Sequence, residues 1–134
     1  MSHVTTTQAP IPLRDKNAIV AAAKKLGCQV LFDAEAVGWA NQVHRGEIVL
    51  KHPSCRYDVA LNRNEQGVYE FNADLMGNEV GRVYGTPEHV YGRLIALYGA
   101  EVVRKLALLR GYRVEQKVDE KTGTVIQRVV IGNA

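Results

Sequence analysis

Cys28, His44, His52 and Cys55 carry the donor atoms of a tetrahedral zinc site, and the segment HPSC sets two of them three positions apart. Structural zinc usually takes its ligands as close pairs on turns, however, and Cys28 sits inside the apolar run CQVLF, where a neutral buried thiol is the ordinary arrangement. Buried or separately satisfied side chains are therefore the expectation for all four. The opening Met1, Ser2 and His3 have the spacing of an amino-terminal copper or nickel hook, but removal of methionine before a serine would leave the histidine second. His3 is expected to be a polar strand residue or part of an interaction surface.

Acid–base chemistry needs a positioned base beside a nucleophile, or carboxylates with separated pKa values. His44 with Glu47, and Asp74 with Glu79, come nearest, and neither spacing specifies a reaction. His44, Arg45 and Glu47 read as a solvated loop end before a strand, and Asp74 as a residue that organises the turn after one. The glycines of GNEVGRVYG match neither a dinucleotide fingerprint nor a phosphate cradle, so no nucleotide cofactor is expected. Arg82, Tyr84 and His89 could meet an anion, although packing and capping explain them more simply. No catalytic, cofactor or metal residue is assigned.

The elements that must position these groups follow from periodicity. Asp15 can cap a helix running to about Leu26, whose Ile19, Ala22, Ala23 and Leu26 form one stripe, and Gly27 stops it. CQVLF and EIVLKH read as strands joined by a long connection, DAEAVGWANQVHRG. RYDVALNR and VYEFNAD alternate as a hairpin turning at NRNEQG, and MGNEVGRVYG reads as a mobile or surface loop. A second helix is expected to start at the cap Thr86 with Pro87 in its first turn. Its apolar face is Tyr91, Ile95, Tyr98, Val102, Leu106 and Leu109, with Arg93, Glu101, Arg104, Lys105 and Arg110 on the polar side. The leader SHVTTTQ suits a first strand, and YRVEQKVDEKTGTVIQRVVI a closing hairpin.

These elements make an α+β two-layer sandwich: one domain over residues 1–134, with a mostly antiparallel sheet and two helices packed on one face. If the closing hairpin joins that sheet, the face away from the helices keeps aliphatic groups seeking cover, among them Val4, Ile126 and Val130. A protein partner or a second copy would supply it. Arg104, Lys105, Arg110, Arg113 and Lys117 offer an alternative, phosphate contacts with RNA or DNA, diluted by Glu101, Glu115, Asp119 and Glu120. A small metal protein or enzyme is a further alternative.

Bulk properties fit this reading. At 134 residues and 46% hydrophobic, the chain can build a core without staples, and two cysteines suggest a reducing, cytoplasmic or plastid-stroma location. Seventeen basic and fourteen acidic side chains give a net charge of +3 without a marked cluster. No basic leader and no apolar run long enough to span a bilayer are visible, so no membrane span is expected.

The order of MSH, RDKNAIVAAAKKLG, EIVL with YDVAL, YEFNADL, LIALYGAEVVRKLALLRGYRVEQ and GTVIQRVVI resembles the Ycf35-like family of cyanobacteria and plastids, also described as the domain of unknown function 1257. The resemblance covers nearly the whole chain. It carries over His3, Asp74, Leu75, Tyr98 and Gly111, with no established catalytic role for any of them. Relatives can lie beside genes for MoxR-like AAA+ ATPases, which implies an accessory role by association. Family members often have aromatic residues after the Asp-Leu pair, whereas this chain has Met76 and Gly77, a departure compatible with recruitment as an interaction or phage structural component.

Overall fold

The computed structural model describes residues 4–131. Its first strand, β1 (Val4–Thr7), leads to α1 (Lys16–Leu26), whose ends lie where the sequence puts them. The Asp15 carboxylate accepts the Ala18 N–H at 3.1 Å, Gly27 closes the helix in the left-handed conformation, and Ala18, Ile19, Ala22 and Ala23 are buried. Strands β2 (Gln29–Val37), β3 (Val43–Lys51), β4 (Val59–Arg63) and β5 (Tyr69–Asp74) follow, then α2 (Glu79–Tyr84), α3 (Gly92–Leu109), β6 (Arg113–Val118) and β7 (Val125–Val130).

Five strands form one antiparallel sheet in the order β1-β5-β4-β3-β2. The helices pack on the face carrying Ile48, Leu50, Val59, Leu61 and Phe71, and one core cluster joins these to Ile19, Tyr91, Leu94 and Tyr98. The Phe71 and Tyr91 rings stack 3.9 Å apart and nearly parallel. This is the expected sandwich, with α2 as a third, short helix.

Four expectations change. Residues 33–46 are not a connection: β2 and β3 pair from Gln29↔Lys51 to Val37↔Val43 as one long hairpin. Its turn, Trp39–Asn41, folds back on the main sheet, where Asp58 N–H donates to the Val37 carbonyl at 2.9 Å. Gly46 lies where this hairpin crosses β4, and any side-chain carbon there would come within 2.7 Å of the Ala60 methyl. Second, MGNEVGRVYG is no loose loop, because Val80 and Tyr84 of α2 are fully buried.

Third, Thr86 does not cap α3. It pairs with His89 in a tight reversal, Thr86 N–H to the His89 carbonyl at 2.9 Å, and Gly92 opens the helix against the Thr86 side chain, a contact that leaves no space for a Cβ. The apolar stripe is right as far as Val102, where the core ends; Leu106 and Leu109 extend past it and are exposed, while Glu101 is buried.

Fourth, the closing hairpin forms a separate two-stranded sheet, β6-β7, laid along α3. Val4 and the pair Ile126 and Val130 therefore share no β-face. The side of the main sheet away from the helices is also not bare. A polar ladder crosses it, from Thr6 to Asn72 at 2.8 Å, Asn72 to Asn62 at 2.9 Å, and Asn62 to the Glu47 N–H at 3.0 Å. Beside the ladder, Ala36, Val49 and Ala60 make a small sealed cluster.

Candidate functional site

Buried charge marks one candidate region, under the β2–β3 turn. Asp58, the residue before β4, and Asp74, the last of β5, are both buried. Asp58 Oδ2 accepts the Val37 N–H at 2.8 Å and pairs with Lys51 at 2.5 Å. Asp74 Oδ2 accepts the Trp39 N–H at 2.8 Å, and its Oδ1 takes the Met76 N–H at 2.9 Å. A carboxylate that accepts two amides is worth more than a neutral acceptor, because charge-assisted hydrogen bonds are the strong ones. These two aspartates pin the hairpin tip to the sheet, which goes beyond the local turn that sequence assigns to Asp74.

His44 belongs to the same region and is not a solvated loop end. It stands in β3 opposite Ala36, both ring nitrogens are out of contact with water, and neither has a hydrogen-bond partner. Burial holds its pKa below the ordinary histidine value, and the negative charges of Asp58 and Asp74 oppose that only in part. A neutral imidazole results. The remaining donors of the zinc reading are scattered. Cys28 Sγ meets the Tyr84 hydroxyl at 3.5 Å, Cys55 Sγ donates to the Tyr57 carbonyl at 3.1 Å, and His52 bridges the Ser54 N–H and the Leu26 carbonyl. Burial raises both thiol pKa values, which suits packing and not nucleophilic attack. Among the described residues no three His, Cys, Asp or Glu side chains converge to hold a metal.

Other residues singled out by resemblance have local structural roles. The Tyr98 hydroxyl accepts the N–H groups of Arg14 and Asp15, both at 3.1 Å, and so ties α3 to the start of α1. Gly111 takes the left-handed conformation that turns the chain out of α3, Leu75 packs on the core, and His3 lies outside the described residues. Arg82, Tyr84 and His89 do not converge. Tyr84 is buried, His89 receives the Tyr91 N–H, and Arg82 donates to the Ser54 carbonyl at 2.7 Å.

The C-terminal residues behave differently. On the β6–β7 ribbon, Val114, Gln116, Val125, Gln127 and Val129 are half-buried on the side toward α3, whereas Arg113, Glu115, Lys117, Ile126 and Arg128 are exposed on the other. Lys117 stands directly opposite Ile126, and Arg113 opposite Val130. Residues that sequence places in two separate readings, protein contact and phosphate contact, thus share one face. Arg104 and Lys105 leave that group, since Arg104 reaches Glu101 at 3.5 Å and Lys105 binds Asp15 at 2.6 Å, lowering the Asp15 pKa.

No helix among the described residues is long and apolar enough to cross a membrane. Residues 22–130 match the model of a family described as "Protein of unknown function (DUF1257)", and the chain belongs to that family. No curated protein and no solved structure matches the chain.

Proposed function

We propose that this member of the DUF1257 family is a non-enzymatic binding module that takes a protein partner on the outer face of its terminal hairpin. One observation carries the reading. Seven of the twelve large apolar residues exposed among the described residues fall between 103 and 131, four of them on the last turns of α3, with Ile126 at 60% exposure on the outer face of the β6–β7 ribbon near its turn. Apolar exposure concentrated in one part of a chain marks a contact surface more often than scattered single residues do.

Charge selects the kind of partner. Residues 103–131 contain seven basic and three acidic side chains; Lys117 faces Ile126, Arg128 stands two residues from it and Arg113 lies further along the same face, with Glu115 as the one carboxylate among the described residues of that face. A second copy meeting this face would confront like charges, whereas a partner with an acidic rim complements it. An AAA+ ATPase is the first partner to test, since relatives of the family can be encoded beside one. A cytoplasmic or stromal setting fits a chain whose two thiols are free and buried.

Native mass spectrometry of untagged protein purified from its source at low salt tests the proposal. The expected result is a stoichiometric complex with an acidic protein, lost in Ile126→Asp and in Lys117→Glu and retained in Arg82→Gln. A homodimer sensitive to Ile126→Asp would replace the partner with a second copy. Nuclease-sensitive, strongly salt-dependent co-purification would favour nucleic acid instead. A bare monomer under these conditions would refute the proposal.

A further inference from the structure

Behind the terminal hairpin, on the side away from Ile126, the chain forms a half-open cleft of about 580 Å³, the size of a small-molecule site. Five separate segments build it: the end of α1, the β3–β4 connection, α2, the first turns of α3 and the turn between β6 and β7. Leu26, Val83, Leu97 and Val118 give it an apolar wall. Lys25, Arg82 and Arg93 line it as well, against Glu120 as the one carboxylate among its lining residues.

The three cations are not equivalent. Lys25 forms an ion pair with the buried Glu101 and is spent there. Arg82 bonds the Ser54 carbonyl and stands 3.6 Å from Glu79, with more than half of its side chain exposed. Arg93 is gripped by three main-chain carbonyls, those of Gly85 at 3.1 Å, Glu120 at 2.6 Å and Lys121 at 3.1 Å. Neutral carbonyls orient a guanidinium without cancelling its charge, and no carboxylate among the described residues comes within ion-pair distance of Arg93. The His52 ring on the same wall is fixed by the Ser54 N–H and the Leu26 carbonyl. An oriented, uncompensated guanidinium beside an apolar wall is a built recognition site.

We infer that this cleft binds a small organic acid, a carboxylate or phosphate ester carrying an apolar body. Its anionic end meets Arg93 and Arg82, and its body lies on Leu26, Val83, Leu97 and Val118. The site shares no lining residue with the outer face of the hairpin, so it stands whether or not that face takes a partner.

Titration of the full chain followed by amide NMR and calorimetry tests the inference, with phenyl phosphate and phenylacetate as probes and inorganic phosphate and benzyl alcohol as halves of them. At least one probe should saturate, shifting the amides of Leu26, Val83, Arg93 and Val118, and the stronger of the two identifies the acid. Each half should bind at least about tenfold more weakly, benzyl alcohol for want of a charge-assisted hydrogen bond and phosphate for want of a buried ring. Arg82→Gln should weaken the probe by about tenfold for the same reason. Glu120→Gln, which removes the opposing charge, should tighten it, a gain that general loosening of the protein would not produce. Absence of saturable shifts, equal binding by either half, or no gain in Glu120→Gln would overturn the inference.

Discussion

The five-stranded body and the terminal hairpin use the same antiparallel pairing and rest on different energetics. In the body, Val59, Ala60 and Leu61 are buried in succession, because the helices cover one face of β4 and the folded-back β2–β3 hairpin covers part of the other. The β6–β7 ribbon is covered on one side only, so half-buried and exposed residues alternate along it. Its attachment to the rest of the molecule combines half-buried valines, Val125 among them packed on the main core, with a few side-chain bonds: Gln127 to the Ala100 carbonyl, Lys25 to Gln116, and Arg93 to the β6–β7 turn. A two-stranded ribbon alone is marginal in water. The body therefore carries the stability, and the ribbon carries exposed surface that the body does not need.

The largest effect should come from breaking the body at its most enclosed ring. Tyr91 is fully buried and stacks on Phe71, so Tyr91→Ala should lower unfolding free energy by about 3–5 kcal/mol, measured by urea denaturation. Its hydroxyl is buried without a partner, and burial drives its pKa far up. An unsatisfied hydroxyl costs desolvation and returns nothing, so Tyr91→Phe should leave stability unchanged or raise it. A loss in Tyr91→Phe close to that of Tyr91→Ala would show that the ring's packing is not what holds the body together.

A smaller effect separates the two regions by pH. The folded-state pKa of His44 lies below its ordinary value of 6.5, so between those two values the unfolded chain binds a proton that the folded chain refuses. Stability is accordingly full above about pH 7 and declines as pH falls through the ordinary histidine range. Asp15, whose pKa the Lys105 ammonium lowers, acts in the same direction in a separate window: its contribution is present above 3.8 and lost as pH falls through its folded value. Denaturation midpoints measured from neutral to mildly acid pH should therefore fall in the wild type and stay flatter in His44→Phe. Equal slopes in both proteins would remove His44 as the cause. Amide exchange of β6 and β7 should not follow this titration, because His44 lies in the other sheet.

What sequence revealed of this contrast depended on whether the deciding signals were local. At α1 the cap, the apolar stripe and the terminal glycine all lie within a dozen residues, and they agree. The β4–β5 hairpin was equally legible, because alternation fixes its buried face. DAEAVGWANQV looked like a connection because it is poor in β-branched residues; what makes it a hairpin arm is Asp58 and Asp74, far along the chain, holding its tip. The glycines of MGNEVGRVYG suggest looseness, yet Gly85 serves close packing, since a Cβ there would collide with the Gly81 carbonyl oxygen. Alternation in β6 and β7 announces a hairpin and cannot say which sheet it joins, so a face shared by Val4 and Ile126 follows only if the hairpin extends the main sheet, and it forms its own. The cleft is almost invisible in the sequence, since its walls come from five segments, and of its cations only Arg82 reads there as a possible anion contact.

The smallest expected effect sharpens the comparison most. The Gln127 side-chain amide donates to the Ala100 carbonyl at 2.7 Å, one of the few bonds from β7 to the body. Ala100 lies inside α3, so its carbonyl already serves the helix, and removing Gln127 leaves no buried main-chain group without a partner. Gln127→Ala should then cost about 1 kcal/mol, the net worth of a single hydrogen bond, and should cost it locally. Hydrogen exchange at the β6 and β7 amides should speed up several-fold while exchange in β3, β4 and β5 and the global unfolding midpoint stay where they are, as expected when the ribbon opens as its own cooperative unit. A matching loss of protection in β4 would mean that ribbon and body unfold together, and the division of labour between them would have to be abandoned.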